Sequence, residues 1–208
     1  MREQPFYHRF LQTLPDDAKL DFEDVMWQLY TKGRNPASFL SFLGNGSYKE
    51  AYSLNARYVI KFASINNDTE DERYISEASK REGLGDIFLD SWYFKLPETH
   101  YIELTQKEEI DADYYDEDDR ISYLANYIII QPIVEVADDD WSNNFISIYL
   151  PHITWSRDLE KYYDTKTLTN LDRFLALYAI FDIRADNVGY YEGRPVIFDW
   201  LSKEIKEK

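Results

Sequence analysis

The chain contains no cysteine. That absence removes disulfides, thiolate catalysis and cysteine-held zinc or iron–sulfur centres together, and it fits a reducing compartment. Histidine is nearly as scarce. His8, His100 and His152 are scattered, with no metal-ligand spacing and no nucleophile elbow to complete a serine–histidine–aspartate site. Long hydrophobic runs are missing too: the most apolar stretch, Tyr127 to Val136, is broken by Gln131, Pro132 and Glu135 and is too short to cross a bilayer. Met1-Arg2-Glu3-Gln4-Pro5 is not followed by the apolar segment of a signal peptide, so the expectation is a soluble, cytoplasmic protein with no membrane partner. Positive charge is short as well, with 23 Lys and Arg against 39 Asp and Glu and a formal net charge of −16 over 208 residues. A field of that sign repels phosphate backbones and anionic lipid, which disfavours direct nucleic-acid binding.

What the chain does have is aromatic mass. Its 18 Tyr, 12 Phe and 5 Trp can fill a core, which argues against disorder despite the charge. The first 37 residues read as helical. Asp21 is the expected cap of a helix closing at Gly33, with Phe22, Val25, Met26, Leu29 and Tyr30 on one apolar stripe. From Ser38 the period becomes that of strands: Phe39 to Leu43, Lys49 to Leu54 and Tyr58 to Ala63 predict an antiparallel meander. A charged helix is expected from Thr69 to Arg81, ending at Gly83. Strands are expected over Ile87 to Leu96, His100 to Thr105 and within Ile121 to Val136. Asp138-Asp139-Asp140 reads as a linker, Leu168 to Ile180 as a helix, and Asn187 to Trp200 as a hairpin turning at Glu192-Gly193. A strand-rich segment over 38–135 and a helical one over 136–208 give an α+β, two-lobed expectation.

Chemistry gathers in three places. Asp182-Ile183-Arg184-Ala185-Asp186-Asn187 is a polar loop after a helix, and Asp199 closes the apolar run Val196-Ile197-Phe198. Asn187 and Asp199 are hard oxygen ligands of the kind Mg²⁺ takes alongside phosphate. Asp182 beside them is a candidate base, and Arg184 a group to neutralise developing phosphate charge. Upstream, Gly44-Asn45-Gly46 turns between two strands, and Lys61 stands in the otherwise apolar Tyr58-Val59-Ile60-Lys61-Phe62-Ala63. A lysine among core residues is costly unless paired, and Glu77, with Glu72 as second choice, offers a carboxylate on the following helix.

In this order (glycine loop, strand lysine, helix glutamate, apolar strand, Asp-x-x-x-x-Asn, strand-terminal Asp) the sequence resembles the protein-kinase-like fold, and in particular the short kinase-like proteins of bacteriophages. The resemblance makes 38–135 an N-lobe and 136–208 a minimal C-lobe, and implies ATP and Mg²⁺ as cofactors. It gives Gly44 and Gly46 the phosphates to approach, Lys61 the α- and β-phosphates to hold, and Glu77 the task of holding Lys61. Asp182 becomes the catalytic base, Arg184 stands for the family's loop lysine, Asn187 and Asp199 bind metal, and Gln131 to Glu135 form the hinge that meets adenine. Lys49 replaces the third loop glycine, Ile180-Phe181-Asp182 replaces His-Arg-Asp, and Asp199-Trp200-Leu201 replaces Asp-Phe-Gly. Nine residues follow Asp199, too few for an activation segment. The expected phosphoryl acceptor is therefore a small molecule, a folded protein surface or the chain itself.

Other readings of the same residues stand beside this one. Asp182 and Asn187 can cap a helix and shape a turn, Lys61 can snorkel from an edge strand, and Gly44 and Gly46 can make an ordinary hairpin. The block from Asp111 to Asp119 is acidic enough to suggest calcium, but Tyr115 and Asp116 break the EF-hand pattern and a solvated loop is expected. The alternative function is a catalytically inactive, acidic pseudokinase that regulates or inhibits a basic, nucleic-acid-binding host protein.

Overall fold

The computed structural model of the chain describes residues 4–46, 49–64, 68–107, 120–137, 154–180, 183 and 187–199. The fold is mixed α+β, and its contacts divide it into two compact units: Met1–Ile65 with Trp92–Ile130, and Asn66–Ser91 with Gln131–Lys208.

The first unit is built on the expected apolar stripe. Helix α1 covers His8–Leu11 and α2 covers Asp16–Tyr30, a start earlier than Asp21. Asp16 and Asp17 supply the first-turn carboxylates that favour the helix dipole, with Pro15 ahead of them at the cap. Asp21 is thereby interior to the helix and exposed, and accepts a hydrogen bond from Asn55 Nδ2 at 2.7 Å. Gly33 (φ +61) makes the left-handed turn that ends the segment. Ala18, Phe22, Val25, Met26 and Leu29 are buried in one cluster with Tyr52, Ile60, Phe62, Leu104, Ile128 and Ile130 of the sheet. Burial of each large side chain contributes about 1.5–3 kcal/mol, so this stripe anchors the unit.

The sheet contains β1 (Ser41–Gly46), β2 (Lys49–Ser53), β3 (Tyr58–Ser64), β4 (Trp92–Lys95), β5 (Ile102–Lys107) and β6 (Arg120–Pro132), in the order β1-β2-β3-β6-β4 with β5 also on β6. The antiparallel meander is present as expected. Asn55 makes its second turn, accepting from the amides of Arg57 at 2.8 Å and Tyr58 at 3.0 Å through Oδ1. The strand expected over Ile87 to Leu96 is shorter. Only Trp92–Lys95 pairs with β6, while Ile87, Phe88 and Leu89 are buried in the second unit without forming a strand. A short apolar run does not distinguish a strand from a buried loop.

The second unit holds α3 (Asp68–Arg81), α4 (Thr154–Tyr162) and α5 (Thr165–Leu177), with a three-stranded sheet of β7 (Glu135–Val136), β8 (Val188–Tyr191) and β9 (Arg194–Ile197). Ile75, Phe88, Leu159, Leu171, Phe174, Ile180, Val188 and Ile197 share its core. Helix α4 has no counterpart in the sequence reading, because Leu159 is a lone apolar residue within Arg157-Asp158-Leu159-Glu160-Lys161. Asp164 caps α5 by accepting from the Thr167 amide at 2.7 Å, so that helix begins ahead of Leu168. The β8–β9 hairpin turns at Glu192-Gly193 as expected, both with positive φ (53° and 77°), the signature of a type I′ turn. The acidic segments Asp111–Asp119 and Asp138–Asp140, and His152, lie outside the described residues. Among the described residues no helix is long and apolar enough to cross a membrane.

Candidate functional site

Register places the first group of candidate residues. Gly44 on β1 pairs with Ala51 on β2, and Ala51 pairs with Lys61 on β3, so the three form one row across the sheet. Directly opposed residues of antiparallel strands share a face. Lys61 is thus on the face away from α2, the face of Ala63, Tyr127 and Ile129, whereas its neighbours Ile60 and Phe62 point into the α2 core. It is 8 % exposed, so its ammonium depends on oxygen groups for its solvation. Gly44 has an ordinary negative φ region and nothing within 4 Å of where a Cβ would stand. Packing among the described residues does not require this glycine. Gly46 pairs with Lys49 at the end of the same hairpin, and Ser47 and Tyr48 lie outside the described residues.

Helical spacing separates the two carboxylates weighed as partners for Lys61. Glu72 shares a buried face of α3 with Ile75, Ser76 and Ser79, and is 2 % exposed. Glu77 faces solvent, where its Oε1 accepts from Arg73 Nη1 at 3.1 Å one helical turn away. The interior carboxylate of α3 is therefore Glu72, and Glu77 lies on its exposed face.

The second group is brought together by the hairpin. Val188 pairs with Ile197, so the chain just before β8 adjoins the chain just after β9. Those segments carry Asn187 and Asp199. The Asn187 main-chain oxygen accepts from the amides of Phe198 at 3.0 Å and Asp199 at 3.4 Å. Asn187 is buried and Asp199 half-buried. Asp182, Arg184 and Trp200 lie outside the described residues, so the candidate base and loop arginine have no geometry to report.

Gln131 and Glu135 part company. Gln131 is buried, and its Nε2 donates to Ser91 Oγ at 2.7 Å and to the Phe198 carbonyl at 3.0 Å. Glu135 is exposed on β7, opposite Tyr190. Its main chain packs against Gly189, where a Cβ would overlap the Glu135 carbonyl oxygen and stand 3.2 Å from Val136 Cα. Neither Ser91 nor Gly189 was singled out from the sequence, although a glycine inside a strand pattern is a recognisable sign of close backbone approach.

A shallow groove of about 230 Å³ between α4 and the hairpin tip is lined by Asp158, Lys161, Tyr162, Tyr190, Gly193 and Pro195. It contains none of the predicted site residues and is smaller than the usual ligand cleft. The Tyr190 hydroxyl donates to Asp158 Oδ2 there at 2.8 Å, and burial together with that bond pushes the phenol up to about 12. Among the described residues no three His, Asp or Glu side chains gather into a metal-holding group. No protein-family model matches the chain, and no curated protein sequence matches it.

Proposed function

We propose that this chain is a kinase-like protein that binds ATP with Mg²⁺. The reading gives Lys61 the phosphate oxygens, Asn187 and Asp199 the cation, and Gly44 and Gly46 a main chain that phosphate can approach. What carries it is the adjacency of Asn187 and Asp199, joined through the Asn187 main-chain oxygen. Mg²⁺ is commonly held by one or two carboxylates and completed by substrate phosphates and water, and this pair supplies oxygens of that kind. The row Gly44–Ala51–Lys61 adds support, because it sets a cationic side chain and a glycine that packing does not require on one face of the sheet. The order of elements agrees as well: a meander with the lysine on its third strand, then a helix with a buried glutamate, then β6 running to Gln131.

Where phosphoryl transfer occurs, the γ-phosphoryl group passes from ATP to an acceptor hydroxyl and ADP leaves. Asp182 takes the acceptor's proton and Arg184 offsets phosphate charge. Titration of the protein with ATP, with and without Mg²⁺, tests the binding step. A ligand at a hundredfold excess over its dissociation constant raises apparent stability by about 2.7 kcal/mol, and this rise is expected only with the metal present. The net charge of −16 favours a second reading, an inactive scaffold whose acidic surface meets a basic, nucleic-acid-binding host protein in a phage setting. No stabilisation at millimolar Mg²⁺·ATP, with salt-sensitive binding to such a partner, is the outcome that selects it.

A further inference from the structure

Gln131 ends the apolar run of β6 and is 2 % exposed, so its amide must find partners inside the protein. Both amide hydrogens are engaged: Nε2 donates to Ser91 Oγ at 2.7 Å and to the Phe198 carbonyl oxygen at 3.0 Å. A carbonyl oxygen can only accept, which fixes which way the side-chain amide points. Ser91 Oγ donates onward to the Leu89 carbonyl at 3.2 Å, and the Leu89 amide donates to Ile197 O at 2.8 Å. The network therefore closes on the strand that leads to Asp199.

The Phe198 carbonyl belongs to the same peptide group as the Asp199 amide. Gln131 holds the oxygen of that group, and Asn187 accepts from its nitrogen at 3.4 Å. A peptide group is planar, so holding it at both ends fixes its orientation and with it the position of the Asp199 Cα from which the side chain departs. We propose that Gln131 is the positioning residue for Asp199. It acts through the Phe198 carbonyl and tunes metal affinity without touching the metal. This inference rests on the nucleotide reading above. The hinge role that the resemblance implies for Gln131 to Glu135 falls on their main chain, since both side-chain hydrogens of Gln131 are committed. Groups that orient a metal ligand from behind are worth about 10–100-fold in metal affinity.

The test is Gln131→Met, which keeps length and apolar bulk and removes both donors. Mn²⁺ stands in for Mg²⁺ and is followed by electron paramagnetic resonance in the presence of ATP, while metal-free ATP binding is followed by calorimetry. The expected result is an Mn²⁺ affinity about tenfold weaker, with metal-free ATP binding within about twofold of the wild type. Exchange of the Asp199 amide hydrogen is expected to quicken. Unchanged Mn²⁺ affinity overturns the positioning role and leaves the nucleotide reading standing. An equal loss of Mn²⁺ and metal-free ATP binding also overturns it, since that is general loosening. Wild-type protein that takes up no Mn²⁺ with ATP overturns both. Should Gln131→Met fail to fold, Ser91→Ala gives a milder version, with Mn²⁺ affinity expected to fall by about threefold and an unchanged value counting against the proposal.

Discussion

Gly189 and Glu135 approach so closely that any Cβ on the glycine would overlap the Glu135 carbonyl oxygen. The pairing of β7 with β8 depends on that bare backbone, since Val136 opposes Gly189 and Glu135 opposes Tyr190. Gly189→Ala is therefore expected to destabilise the protein by about 1–3 kcal/mol, the usual cost of overpacking. Gly44→Ala is the contrasting variant. Its Cβ meets nothing within 4 Å, so urea unfolding should stay close to wild type while ATP affinity falls. Equal stability of wild type and Gly189→Ala would show that β7 readily yields.

Ala179 carries the opposite kind of strain. Its φ is +49°, a left-handed conformation that costs an L-residue about 1–2 kcal/mol. The Ile180 amide donates back to Leu175 O at 2.9 Å, so the conformation is part of how α5 ends. Ala179→Gly relieves the Cβ conflict at the expense of some chain entropy. The net expectation is a gain of up to about 1 kcal/mol, or about 2–4 °C in melting temperature for a chain of this size. A lower melting temperature would place the strain elsewhere.

Much of the fold was legible because its signals are local and repeated. The stripe from Phe22 to Leu29 spans two turns of helix, and Glu192-Gly193 is flanked by alternating residues, so neither needs distant context. The boundaries that moved depend on neighbours the local pattern cannot see. Asp21 has the chemistry of a cap, yet Pro15, Asp16 and Ala18 extend the helix behind it. Ile87 to Leu89 has the composition of a strand but is consumed as core for another element, with only Phe88 bridging Ile197. At the site, Asn187 and Asp199 could be paired from the hairpin alone. Glu72 could not be chosen over Glu77 without knowing which face of α3 is buried, and Gln131 gave no sign that its amide would reach Phe198.

The contact between Tyr190 and Asp158 has a calculable pH signature. Burial, then the Asp158 hydrogen bond, raise the Tyr190 phenol from 10.0 to about 12. A group whose folded value is raised contributes stability that is complete below the unfolded value and lost as pH climbs through the folded one, here between 10.0 and about 12. Asp158 moves the other way, held below its usual 3.8 by Lys161 and then by Tyr190. Its contribution is present above 3.8 and lost as pH falls below it. The stability difference between wild type and Tyr190→Phe should therefore be level through neutral pH, shrink above pH 10, and shrink again in acid. A difference constant across the range would mean that the hydroxyl does not sense Asp158.

Lys61 and Asp199 supply the sharpest comparison, because the nucleotide reading asks both to serve one ligand. Lys61→Met exchanges a buried ammonium for an apolar chain of similar length. Removing one member of a buried charged arrangement leaves the groups around it uncompensated, so unliganded protein should melt below the wild-type temperature. What stability remains should no longer rise with Mg²⁺·ATP. Asp199→Asn keeps shape and loses charge, and is expected to remove the Mg²⁺ dependence with little change in unliganded stability. The double variant separates a shared site from two independent defects. If both residues meet one nucleotide, the second substitution costs far less in the presence of the first, a coupling that thermodynamic cycles measure directly. Strict additivity, or Lys61→Met retaining full ATP stabilisation, would leave the buried lysine as a fold element and move the case toward the acidic scaffold.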